Sequence, residues 1–178
     1  MHIYTDDGRR WLLAHPDVRY DMMVANTSYH WRDHSSQVLS TEFLQIVKQH
    51  LLPGGIYYYN ATESPDVFVT ALHEFKYGLR VITFVMVSDS PIVPNKDHWF
   101  SVLEQYQIDG KKMFNPTTQR GQLVLAGYNE FADSIQRPPR LLGIESGDVL
   151  AQRLGARRVI TDDNMGAEWT PALKPGWR

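Results

Sequence analysis

The sequence has no cysteine. That excludes a disulfide framework, a thiolate metal site and a cysteine nucleophile, and it fits a reducing compartment. There is no excess of positive charge either. Eighteen lysines and arginines stand against twenty acids, for a net charge of -2, which speaks against a dedicated nucleic-acid binder. No apolar run is long enough to cross a bilayer. Asp6, Asp7, Arg9 and Arg10 break the first fifteen residues in a way unlike a signal peptide. Neither a GxGxxG turn nor a GxSxG elbow occurs, and no segment repeats. What is present is apolar enough to fold: 43% hydrophobic and 12% aromatic over 178 residues, the content of one domain with a sizeable core.

Patterning points to layered α/β structure. Asp6 or Asp7 can cap a helix through about Ala14, with Trp11 and Leu12 on its apolar side. Tyr20 to Ala25 is a short apolar run that suits a buried strand. Ser40 starts a second helix with Phe43, Ile46, Val47 and Leu51 on one stripe, and Pro53-Gly54-Gly55 is expected to stop it. Ile56 to Tyr59 reads as a second strand, and Ser64-Pro65-Asp66 as a helix start combining a capping hydroxyl, proline at the first position and an acid in the first turn. Leu79 to Val87 reads as one third strand. Further on, Asn95 or Asp97 reads as the start of a helix to about Tyr106, residues 108–122 read as loop, and residues 123–135 and 148–154 as helices. Arg158-Val159-Ile160 reads as a last strand. Alternating strands and helices imply a mostly parallel sheet flanked by helices, with residues 1–90 as the α/β core and 91–178 as a C-terminal elaboration.

Three stretches in order, "DDGRRWL", "YDMMVANTS" and "TEFLQIVKQHLLPGGIYYYN", resemble the polyamine aminopropyltransferases, the spermidine and spermine synthases. The tail "VITDDNMGAEW" resembles the end of spermidine-synthase-like domains, some of which follow membrane-spanning segments. The resemblance implies the later half of a Rossmann-like fold, that of class I S-adenosylmethionine-dependent methyltransferases, in one spermidine-synthase-like domain over residues 1–178. The abrupt start at Met1 reads as a beginning inside a longer protein.

The resemblance also supplies candidate site residues. Asp7-Gly8 matches the acid-glycine turn that holds the donor's adenine in the family; the residues themselves equally allow a plain helix cap. Asn26 and Tyr29 stand where the family has its Asp-x-x-Asp pair, the catalytic acid and the holder of the cationic substrate. Asn60 stands in place of a glutamine. An amide cannot act as a carboxylate base or neutralise an ammonium. The family's Gly-rich turn and ribose-binding acid have no counterpart. A transferase domain inactive as this isolated chain is therefore expected, with a non-catalytic binding or regulatory domain attached to a membrane protein as the alternative. No cofactor is expected to bind tightly, although a longer protein could take an S-adenosylmethionine-type nucleotide. The expected partners are a nucleotide or a polyamine, with no nucleic acid and no direct membrane insertion, in a cytoplasmic location. The family's strand order, 3-2-1-4-5-7-6, would leave the Tyr20–Ala25 strand without its neighbour, so a homodimer is expected.

Other clusters carry weaker signals. His30 and His34, with Asp33 between them, would share a helical face and could bind a metal. A polar loop is the preferred reading, with Trp31 and Arg32 as a ligand lid, and no metal site is expected. Asp162, Asp163 and Glu168 near Trp169 could receive a polyamine, but a solvated turn is preferred. Arg153, Arg157 and Arg158 read as a solvated face.

Overall fold

The computed structural model describes residues 2–26, 35–61, 64–136 and 143–164. Along them run α1 (Gly8–Ala14), β1 (Tyr20–Ala25), a 3-10 turn (Ser35–Val38), α2 (Thr41–Gln49), β2 (Leu51–Asn60) and α3 (Pro65–Glu74). Then follow β3 (Tyr77–Val81), β4 (Phe84–Ser88), α4 (Lys96–Gln105), β5 (Gln107–Ile108), β6 (Lys111–Lys112), α5 (Gln119–Gln136), β7 (Ile144–Ser146) and α6 (Gly147–Leu154).

Helix starts follow local chemistry. Asp7 accepts from the Arg10 amide at 2.8 Å, Ser40 from Phe43 and Asn95 from His98, so each side chain satisfies one of the donors that open a helix. Ser64 stands at the N-cap of α3 with Pro65 and Asp66 behind it, but its hydroxyl makes no capping bond; the fixed φ of proline starts this helix instead.

The architecture is mixed α/β, but the expectation of a mostly parallel sheet is corrected. The main sheet has the order β1-β2-β4-β3-β7. Only β1 and β2 run parallel; β2–β4, β4–β3 and β3–β7 are antiparallel. The cause is local. The run read as one strand from Leu79 to Val87 folds back at Ile82-Thr83, and Val81 pairs with Phe84 across the turn. A strand that returns through a tight turn must lie antiparallel to the one before it.

Two other expectations are corrected. Pro53-Gly54-Gly55 lies inside β2 as a bulge: β1 advances from Tyr20 to Met22 while β2 advances from Leu51 to Ile56. Gly54 takes φ 82°, and a Cβ on Gly55 would stand 2.8 Å from the Leu52 carbonyl oxygen. Glycines therefore let the strand absorb the extra residues. Val159 and Ile160 form no strand; Ile160 is instead buried, its amide donating to Thr70 Oγ1 and its carbonyl accepting from the Thr41 amide. Residues 108–122, read as loop, contain the end of the β5–β6 hairpin and the start of α5.

The main core lies on one face of the sheet. Tyr57, Tyr59, Val85 and Val87 pack there with Phe43, Leu44 and Val47 of α2 and Val67, Phe68 and Ala71 of α3. Leu150 of α6 and Ile160 join the same cluster. No helix among the described residues is long and apolar enough to cross a membrane.

Candidate functional site

The parallel pair β1 and β2 ends at one edge of the sheet, where two of the candidate residues, Asn26 and Asn60, meet. Ala25 is in register with Tyr59, so Asn26 emerges beside Asn60. The Asn60 side-chain amide donates to Asn26 Oδ1 at 3.3 Å, on the exposed side. Beyond Asn60 the chain is pinned by the β3–β4 turn, where the Ala61 amide donates to the Thr83 carbonyl. Two of the residues singled out from sequence thus meet at the carboxyl ends of adjacent parallel strands, a common place for ligands in α/β sheets. Tyr29, His30, Trp31, Arg32, Asp33 and His34 lie outside the described residues, as do Glu168 and Trp169.

Among the described residues, the side chains that meet at this edge are amides. Asn26 and Asn60 donate and accept hydrogen bonds but carry no charge. The tyrosines beneath them add no base. Tyr57 and Tyr59 stack with ring centroids 4.5 Å apart on the core face, while Tyr58 lies on the other face against Phe84. Burial pushes the Tyr57 and Tyr59 phenols well up, with Tyr57 adding to the effect on Tyr59, so both stay protonated at neutral pH. The Tyr59 hydroxyl is wholly buried with no hydrogen-bond partner among the described residues.

Asp7 and Gly8 open α1. The Asp7 carboxylate caps the helix, and a Cβ on Gly8 would meet nothing within 4 Å. The protein's own packing does not demand a glycine there.

Of the tail's acids, Asp162 departs from the solvated turn expected of the cluster. Asp162 accepts two bonds from the Arg9 guanidinium, at 2.8 and 2.5 Å, and a third from Ser40 Oγ at 2.6 Å. Its amide donates to Glu42 Oε2 at 3.0 Å. Arg9 holds the Asp162 carboxyl below its usual range, with Ser40 assisting against partial burial. Asp162 is therefore a structural clasp, drawing residues 159–164 onto the starts of α1 and α2. Asp163 stays exposed. Arg153 is also more than a solvated face: it binds Glu145 through two hydrogen bonds, at 2.6 and 2.7 Å. The reading from sequence missed the clasp because its members are far apart in the chain. The one available signal was that "DDGRR", "STEF" and "TDDN" each offer a partner for another.

A depression at the opposite end of β2 is lined by Lys48, Pro53, Gly54 and Asp89. Lys48 is held there by Asp89 at 2.9 Å and by the Glu74 carbonyl at 2.7 Å. Among the described residues no group of three or more histidines and acids could hold a metal ion. Neither the models of known protein families nor the curated proteins give a match to the chain.

Proposed function

We propose that the chain is a spermidine-synthase-like domain, the later half of a methyltransferase-type fold, that meets an adenosine-type nucleotide weakly and does not transfer an aminopropyl group by itself. The observation that carries this reading is the amide pair Asn26–Asn60 at the carboxyl ends of β1 and β2. Taking a proton from an attacking amine at that position requires a carboxylate or another base, and an asparagine is neither. The strand order supports the fold assignment: β1-β2-β4-β3 runs as 4-5-7-6 does in the resembled family. Gly8, which the chain's own packing leaves open, supports a surface that a flat ligand can approach closely. The same amide pair favours a second reading, a silent domain that binds or regulates within a larger protein.

The test is direct. Purified protein incubated with decarboxylated S-adenosylmethionine and putrescine is expected to form no spermidine above a no-enzyme control, and Asn26→Asp alone is expected to leave it inactive. Calorimetry with 5′-methylthioadenosine is expected to show binding weaker than micromolar, weakened further by Asp7→Asn, which removes the charge and keeps the cap. Turnover above control overturns the reading. So does micromolar affinity that survives Asp7→Asn.

A further inference from the structure

β1 is an edge strand: among the described residues it pairs with β2 alone. Its inward side is fixed by the Tyr20 amide, which donates to the His50 carbonyl at 2.8 Å. Backbone groups alternate along a strand. Tyr20, Met22 and Val24 therefore turn their N–H and C=O towards β2, and Asp21, Met23 and Ala25 turn theirs outward. The side chains alternate as well. Met23 and Ala25 pack against the core, while Met22 is 49% exposed and Val24 62% exposed on the other face. The strand has no proline, no lysine and no outward bulge to block pairing.

We infer that this edge is a self-association surface, and that a second copy of the chain pairs its own β1 antiparallel to the first about a two-fold axis through Met23. The occupant follows from the pattern. A two-fold through Met23 sets Met23 opposite Met23, Asp21 opposite Ala25 and Met22 opposite Val24. The three outward-facing residues then meet the three outward-facing residues of the second copy, as hydrogen-bonded pairs. Met22 and Val24 fall in the non-hydrogen-bonded pairs, where side chains approach most closely. Each carboxylate of Asp21 faces an alanine, with no like charge across from it. Centring the axis on Asp21 would set the two carboxylates face to face, centring it on Val24 pairs fewer residues of the strand, and centring it on Met22 pairs as many but leaves the outward groups of Ala25 without a partner in the strand. The two sheets join into one, and the contact is isologous, so it closes at two copies. The half-exposed Ile56 and Tyr58 beside Met22 and Val24 extend the apolar strip on both sides of the axis.

Charge swaps test the register. Sedimentation equilibrium at micromolar concentration is expected to give twice the 20.5 kDa chain mass. Met22→Lys combined with Val24→Lys places like charges opposite each other twice and is expected to weaken the dimer at least about tenfold. Met22→Glu combined with Val24→Lys places opposite charges there and is expected to restore it. In the wild type, the Met23 amide is expected to exchange slowly at high concentration and faster on dilution. A wild-type monomer overturns the proposal; if its Met23 amide is nonetheless protected, a segment of the same chain covers the edge instead. A double-lysine protein that stays dimeric also overturns it, as does a charge-swapped pair that fails to recover. If the lysine variant does not fold, concentration-independent exchange at Met23 in the wild type decides against the proposal.

Discussion

Ile82 sits at φ 59° in the two-residue turn between β3 and β4. A branched side chain is strained in that left-handed region, which glycine occupies freely. The turn is held from outside: the Ile82 amide donates to the Gly143 carbonyl at 2.9 Å and the Thr83 carbonyl accepts from Ala61. The Ile82 side chain is more than half exposed, so removing it gives up little burial. Ile82→Gly is expected to raise stability by about 1 kcal/mol, seen as a rise of about 2–4 °C in Tm for a chain of this size. The same residue explains why the hairpin was illegible from the sequence. Between Val81 and Phe84 the chain has Ile82 and Thr83, both good strand formers, where a hairpin usually announces itself with glycine or asparagine. The amide pair at Asn26 and Asn60 was legible as two separate positions but not as a hydrogen bond, because a register across a crossover has no local sequence mark.

At the level of elements, one carboxylate joins three of them. Glu145 of β7 is nearly buried and accepts from Arg80 of β3 at 2.6 Å as well as from Arg153 of α6. Arg153 first, then Arg80, hold its carboxyl below the usual glutamate range against the opposing effect of burial. A group whose folded pKa is depressed contributes stability above its unfolded pKa and loses it as pH falls through the folded one. Glu145→Gln is therefore expected to lower stability at neutral pH by about 1–2 kcal/mol, given that Arg153 is half exposed to screening solvent. The variant is also expected to show a shallower loss of stability as pH falls below the ordinary glutamate pKa of about 4.3; urea titrations from neutral pH into that acid range measure both. The helix starts at Asp7, Ser40 and Asn95 were legible because a cap acts within three residues of itself. β7 was not. It is three residues long, and it is a strand only because β3 offers it an edge.

At the scale of the whole molecule, the later segments do more than decorate the first ninety residues. β7 extends the main sheet, and Leu150 and Ile160 lie in the same core as α2 and α3. The motifs that carried the resemblance were readable one by one, whereas their mutual contacts were not, since pattern reading works over windows of a turn or a strand. The Arg9–Asp162 clasp spans 153 positions.

That span sets an order of events at the ribosome. Arg9 is made before its partner, which follows 153 residues later, a delay of roughly 8–30 s at ordinary elongation rates. Over that interval α1, seven residues long and too short to persist alone in water, has Leu12 to bury but lacks the acid that fastens it. Released chains ending before residue 159 are expected to be cut by protease within residues 8–14, and released chains ending past residue 164 to resist. Equal resistance in both would show that α1 seats itself without the clasp.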